Sequence, residues 1–297
     1  MYKELAIIAP TASGKTDLSI NLAHKLNAVI LSLDSLAVYK EIDIASAKPT
    51  KEERDGIIHF GVDKVNPNEQ FDVIEFIGEY KNAKEYVMQN NKNLIIVGGT
   101  GFYLKAMVDG LSKTPNISNR VKIEVVKRLS NLEKSYDFLN SLDNQYMKKI
   151  KPTDKYRIEK ALEIYLETAL APTTFFEQNK PEPVIKDLKI FQIETKPEIL
   201  RERIKKRTKI MLQNGIIDEV VSLEDKYTRK PNCMGSIGIK ETLEYLDGRL
   251  TKIELEEQIL NHTAQLAKRQ RTFNKSQFCN IFSDELKNLE NKILSMI

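Results

Sequence analysis

The chain has 297 residues, 41% of them hydrophobic and 30% charged, with a formal net charge of +4. That length holds one large domain or two modest ones around a sizeable core, and the composition excludes a disordered or low-complexity chain. Two cysteines (Cys233, Cys279) and three scattered histidines (His24, His59, His262) give neither a disulfide framework nor a readable zinc site; with no secretory leader and no apolar run near the ~18 residues of a membrane span, a cytoplasmic protein away from membranes is expected.

The first aliphatic run, residues 3–9 (KELAIIA), reads as a buried parallel strand. It leads into a helix pattern over 14–26, with Leu18, Leu22 and Leu26 four residues apart. Residues 28–33 (AVILSL) form a second strand, 72–90 an amphipathic helix, and 93–97 (NLIIV) a third strand. Strand–helix alternation of this kind predicts an α/β fold with a parallel sheet. Residues 111–119 are loop-like, and 120–180 read as helices with no convincing strand. A strand follows over 187–194, long basic helices over 197–213 and 254–275, and 277–282 is a candidate last strand. The expected architecture is a P-loop NTPase-like parallel sheet core built from 1–111 and 186–297, with a helical insertion over 112–185.

The strongest local signal is Ala9-Pro10-Thr11-Ala12-Ser13-Gly14-Lys15-Thr16, which follows a strand and opens a helix. Backbone N–H groups at such a helix start face phosphates, and the helix dipole favours negative charge there. Lys15 is placed to contact phosphate oxygens and the Thr16 hydroxyl to hold Mg²⁺. Hydrolysis and kinase chemistry both use this device, so the loop alone leaves the reaction open. Strand 93–97 ends in Gly98-Gly99-Thr100 where many ATPases carry an acid, and strand 28–33 ends in Asp34-Ser35. Ligands of open α/β sheets bind outside the carboxyl ends of strands, so Asp34, Thr100 and the P-loop are expected to converge on one pocket. Taken alone, Asp34 also reads as a helix cap or turn residue. Two basic clusters, Arg201, Arg203, Lys205, Lys206, Arg207 and Lys209, then Lys268, Arg269, Arg271 and Lys275, suit a polyanionic partner; composition alone favours solvated helix faces, since Glu202 and other acids are interspersed.

Beyond these local signals, PTASGKT (10–16), LDSLAVYKEIDIASAKP (33–49), VGGTGFYLKAMVDGL (97–111), KYRIEKALEIY (155–165), RERIKKRTKIMLQNG (201–215), IGIKE (237–241) and QLAKRQRTF (265–273) occur in one order over nearly the whole chain. In this the sequence resembles the bacterial tRNA dimethylallyltransferases (isopentenyltransferases). The resemblance implies transfer of a five-carbon prenyl group from dimethylallyl diphosphate to the exocyclic N6 amine of the adenosine 3′ to the anticodon (position 37), with release of diphosphate and without ATP hydrolysis. It implies Asp34 as the general base and Thr100 as the hydroxyl at the reacting region. Diphosphate falls to Ala9, Pro10, Thr11, Ala12, Ser13, Gly14, Lys15, Thr16 and Arg207, with Mg²⁺ as cofactor. It places the tRNA anticodon stem-loop against Asp34, Ser35, Leu36, Ala37, Thr100, Lys122, Tyr156, Arg157, Ile158, Glu159, Lys160, Gly235, Ser236, Ile237, Gly238, Ile239 and Lys240, the helical insertion included, and a monomer is expected. Ala9, Ala45-Ser46, Lys160, Ile239, Ala264 and Phe273 depart from the family pattern. A P-loop small-molecule kinase explains the first strand–loop–helix and Asp34 but not the motifs after residue 150. An adenylate isopentenyltransferase lacks the insertion, and an RNA-binding module with a relict P-loop does not need Lys15, Thr16, Asp34 and Thr100 together.

Overall fold

Aliphatic runs buried on both faces build the sheet. In a computed structural model, which describes residues 2–112 and 114–297, strand β1 (Glu4–Ile8) leads through the P-loop into helix α1 (Lys15–Lys25), and β2 (Ala28–Leu33) follows. Lys113, inside the loop expected over 111–119, lies outside the described residues. A short strand β3 (His59–Phe60), absent from the sequence reading, precedes α2 (Val73–Gln89), β4 (Asn93–Gly98) and α3 (Gly101–Asp109). Five helices come next: α4 (Asn119–Leu129), α5 (Leu132–Leu142), α6 (Asn144–Met147), α7 (Lys155–Thr168) and α8 (Pro172–Gln178). The chain then returns to the sheet with β5 (Lys189–Glu194), α9 (Pro197–Gln213), α10 (Ile216–Tyr227), α11 (Ile239–Leu246), the 26-residue α12 (Lys252–Gln277), β6 (Ile281–Glu285) and α13 (Leu286–Met296). The last strand starts four residues beyond the expected 277, because α12 continues through Gln277.

The six strands run in the order β3-β2-β4-β1-β5-β6, and every pairing is parallel. Register decides where the chemistry lands. Gly98 pairs with Ile8 on one side and with Leu33 on the other, so three adjacent strands end on one line. The P-loop, Asp34 and Thr100 are the next residues of those three strands and leave the sheet at the same edge. Gly98 has to be glycine there, since a Cβ on it would lie 2.1 Å from the Leu33 carbonyl oxygen.

The chain divides into two compact units: the sheet unit, up to Val108 and from Ile185, and a helical unit, Asp109–Val184. In the helical unit Val121, Val125, Leu139, Met147, Ile158 and Leu162 form the core, and Ser118, Asn131 and Asp154 cap α4, α5 and α7 through side-chain oxygens. In the sheet unit one apolar layer packs α1 and α13 against β1 and β5, through Leu18, Leu22, Phe191, Leu289 and Ile293. Leu286 at the start of α13 sits over Gly14, where a Cβ would be 2.8 Å from Leu286 Cδ2. A second layer joins α9, α10, α11 and α12 to the segment after β2, through Val38, Ile42, Met211, Val220, Ile239 and Ile259.

The segment between Ile42 and Pro49 has no regular structure, yet it forms part of a pocket wall, and a single carboxylate anchors it. Glu219 on α10 accepts the N–H groups of Asp43 (2.9 Å) and Ile44 (2.7 Å) on Oε2 and of Ala45 (2.9 Å) on Oε1. Lys48 closes the segment from inside, with its ammonium on the Tyr39 carbonyl (2.9 Å), Asp43 (2.6 Å) and Asp63 (2.5 Å). Removing Glu219 leaves three backbone donors unpaired, so Glu219→Ala should lower the free energy of unfolding by about 2–4 kcal/mol in a urea titration. An unchanged midpoint would show that the segment holds itself.

Candidate functional site

Helices α2 and α12 begin with capping boxes, Asp72 with Glu75 and Thr251 with Glu254, which pair their first N–H groups. Helix α1 does not. Its first residue follows Gly14, in the left-handed region at φ 89°, and no side chain caps it. Ala12 is left-handed as well, at φ 61°. Successive left-handed turns point the loop N–H groups inward, the arrangement of an anion nest. The loop is held from outside: Arg203 donates from Nη1 to the Ser13 carbonyl (3.0 Å), Gln270 Oε1 accepts the Thr11 N–H (3.1 Å), and the Ala9 N–H bonds the Gly98 carbonyl (3.2 Å).

The nest opens into a cavity of about 580 Å³ lined by Thr11, Lys15, Thr16, Asp34, Ser35, Leu36 and Ala37, by Gly98, Gly99 and Thr100, by Arg207, and by Gly235, Ser236 and Ile237. The structure thus brings Asp34 and Thr100 together with Lys15 of the P-loop, as the strand-end reading expects, and adds Arg207, which only the resemblance named. Arg207 reaches in from the middle of α9, with Nη1 on Thr11 Oγ1 (3.2 Å) and Nη2 on the Ser46 carbonyl (3.4 Å). Lys15 Nζ bonds the Pro10 carbonyl at 3.5 Å. Burial pushes the Lys15 ammonium down to about 8, with Asp34 opposing the shift and Arg207 adding to it. Burial likewise lowers Arg207, again opposed by Asp34.

Asp34 is the turn residue that the sequence suggests, and it also lines the cavity. Its Oδ1 accepts the N–H groups of Leu36 (2.8 Å) and Ala37 (3.2 Å), which fixes the turn after β2. That leaves Oδ2 for a ligand. Behind it Tyr103, stacked on Phe76 with ring centroids 4.9 Å apart, is pushed up to about 12 by burial and by surrounding acidic groups, and so stays a neutral phenol.

Other expected residues take different positions. Ala9, Pro10, Ala12, Ser13 and Gly14 belong to the nest backbone and do not line the cavity. Ile239 is fully buried in the core, and Lys240 is exposed at 3.9 Å from Glu244. Gly238, at φ 94°, takes the turn before α11, and its N–H is held by the buried Glu241, whose other oxygen meets His262 Nδ1 at 2.6 Å. Lys122, Tyr156, Arg157, Ile158, Glu159 and Lys160 lie in the helical unit, on α4 and α7. There Lys122, Tyr156 and Arg157 are exposed, Lys160 pairs with Glu163 at 2.8 Å, and Ile158 is buried in the helical core.

Sequence reasoning overlooked one wall of the cavity. Ile259, Thr263, Leu266, Gln270 and Phe273 line it from α12, and Ile204, Thr208 and Met211 from α9. Their spacing of three and four residues is the helical period that marks a common face, and it was present in the sequence beneath the basic residues. Among the described residues no group of three or more His, Cys, Asp or Glu gathers as a metal cluster, and no helix is long and apolar enough to cross a membrane.

Residues 37–277 match the IPP transferase family. A tRNA dimethylallyltransferase of Aliarcobacter butzleri is 58% identical over 98% of both chains. Among solved structures, the tRNA isopentenylpyrophosphate transferase of Bacillus halodurans superposes with a TM-score of 0.74 at 28% identity, covering 100% of this chain and 95% of that one. A eukaryotic dimethylallyltransferase captured acting on tRNA superposes with a TM-score of 0.83 at 25% identity, covering 99% of this chain and 78% of that one.

The lowered Lys15 ammonium makes anion binding pH-dependent. An anion beside it favours the charged form, so above pH 8 binding takes up a proton and weakens as pH rises. Pyrophosphate should bind about ten-fold more weakly at pH 9 than at pH 7, measured by calorimetry against Lys15→Arg, whose charge does not titrate. Parallel profiles for the two proteins would remove Lys15 from the anion site.

Proposed function

The chain belongs to the IPP transferase family and is a tRNA-prenylating transferase, and from that premise we propose how its own residues carry the reaction. The prenyl donor is dimethylallyl diphosphate. Its diphosphate lies in the nest of Thr11–Thr16, between the Lys15 ammonium and the Arg207 guanidinium. The acceptor is the exocyclic N6 amine of the adenosine 3′ to the anticodon, position 37, in the anticodon stem-loop of tRNA. The observation that carries this reading is Asp34 Oδ2, without a hydrogen-bond partner among the described residues, in the same cavity as two half-buried cations.

An adenine amine is a weak nucleophile, because its lone pair is delocalised into the ring. Asp34 Oδ2 orients the N–H and takes its proton as the N–C bond forms. On the other side of the carbon the C–O bond breaks and the electron pair leaves on the diphosphate. Lys15, Arg207 and the loop N–H groups neutralise that developing charge without reorganising. Thr100, at the mouth between them, offers its hydroxyl to the bridging oxygen. The walls from α9 and α12 are apolar at Ile204, Met211, Ile259 and Leu266, which keeps water from the allylic carbon. Thr16, which lines the cavity with Lys15 and Asp34, would hold Mg²⁺ through its hydroxyl, and the ion would supply positive charge beside the leaving group.

The acceptor base has to leave its stack to enter the cavity. Ser35, Leu36, Ala37, Gly235, Ser236 and Ile237, which line the cavity, and the exposed Lys240 meet the loop at the rim, while Gly238 and Ile239 hold that turn from inside. The helical unit contributes the exposed Lys122, Tyr156 and Arg157, with Lys160 beside them, and grips the stem by its phosphates, while Ile158 anchors α7 in the helical core. The working form is a monomer in the cytoplasm.

Incubation with labelled dimethylallyl diphosphate and unmodified tRNA, followed by digestion, should yield a prenylated adenosine, and ATP in place of the donor should yield no modified base. Asp34→Ala should slow that reaction on the order of 10²-fold or more while tRNA binding persists. Near-normal turnover by the variant would sink the assignment of the base.

A further inference from the structure

In α2, α11 and α12 the glutamate at the third helical position reaches back to the N–H of the residue before the helix. Glu75 and Glu254 do this from solvent. Glu241 on α11 does it from inside the protein, with only 2% of its side chain accessible. Capping explains one of its oxygens, since Oε2 accepts the Gly238 N–H at 2.6 Å. It does not explain the burial. A carboxylate out of water needs both oxygens paired, and among the described residues no lysine or arginine reaches this one.

The second partner is His262 on α12. Its Nδ1 lies 2.6 Å from Glu241 Oε1, with one hydrogen between the two atoms, and 40% of the side chain stays accessible. The turn that this pair holds is fixed from α11 as well: Thr242 Oγ1 donates to the Gly238 carbonyl at 2.6 Å, and the Lys240 N–H to the Ser236 carbonyl at 2.9 Å. Gly235, Ser236 and Ile237, just before Gly238, line the cavity. So do Ile259 and Thr263, which lie on either side of His262 in α12. One polar contact, His262 to Glu241, therefore ties the rim turn to the α12 wall.

We propose that His262 is a positioning residue for the acceptor: by pairing the buried Glu241 it latches the 235–238 turn to α12 and fixes the rim through which the target base enters. Without the imidazole the carboxylate has two choices. It stays buried with one oxygen unpaired, or it swings out to water and releases the Gly238 N–H. Either way the closed turn loses stability. The proposal rests on the reading that this rim meets the anticodon loop, but the claim about the turn stands apart from the reaction.

Two variants test it. His262→Leu fills similar space and offers no donor, whereas His262→Asn puts an amide nitrogen where Nδ1 stood. In the leucine variant the Gly238 amide should exchange with solvent on the order of ten-fold faster, beyond any change in the amides of β1, and asparagine should restore it. Unchanged exchange at Gly238 would overturn the latch whatever the reaction proves to be. In prenyl transfer the leucine variant should raise KM for tRNA on the order of ten-fold, because the freed turn has to be ordered on binding. KM for dimethylallyl diphosphate and kcat should stay within about two-fold, and the asparagine variant should behave as wild type. Faster exchange with an unchanged KM for tRNA would refute action on the acceptor. An equal rise in both KM values would mean general loosening of the cavity and would refute it too. If the wild-type protein made no prenylated adenosine, the reading of the reaction would fall, while the exchange comparison would still decide the latch. If His262→Leu does not fold, His262→Ala is compared with His262→Asn under the same criteria.

Discussion

Two cations share one partly dehydrated pocket, and the remaining structure serves to keep them there. Lys15 and Arg207 repel each other, and burial penalises the charge on both. Among the described residues lining the pocket, Asp34 is the one carboxylate that offsets them, so the pocket carries more positive than negative charge, which suits a polyanion. No flexible surface would hold such a pair. Lys15 is fixed by the strand–loop–helix unit at the centre of the sheet, and Arg207 by its place midway along a 17-residue helix.

The basic residues of α9 thereby divide into two kinds that composition cannot separate. Arg207, half-buried, and Arg203, exposed, both turn toward the P-loop and bond it at Thr11 and Ser13, and Arg201 reaches Asn261 Oδ1 at 3.0 Å. Lys205, Lys206 and Lys209 point to solvent, as do Lys268, Arg271 and Lys275 of α12. The inward arginines set the geometry of a small charged group, and the outward lysines are available to a large one.

The parts of the fold visible in the sequence were those whose cause is local. Strands β1, β2 and β4 are unbroken aliphatic runs because helices cover both faces, and helix α9 begins and ends as its pattern predicts. β3 is two residues long and leaves no periodicity, while β6 (IFSDE) is a half-exposed edge strand whose polar residues disguise it. The same division holds in the pocket. The P-loop, Asp34 and Thr100 were legible because each follows a strand, and parallel register puts strand ends in one place. Arg207 could be singled out from its neighbours only through the resemblance. Glu219 was invisible, since its partners are three backbone N–H groups at least 174 positions away. Gln270 was hidden for a related reason: it lies in a segment whose charges drew attention to the opposite face of the helix.

The packing of α13 on α1 has a consequence for how the molecule is made. β1 lies inside the sheet, with β4 and β5 beside it, although it is synthesised first. The apolar face of α1 is closed by Leu289 and Ile293, Gly14 is covered by Leu286, and Lys25 pairs with Glu290 at 2.7 Å. Contacts of such long sequence separation form late. Until α13 packs in place, the nest is therefore half-walled, and this helix is the keystone of the loop.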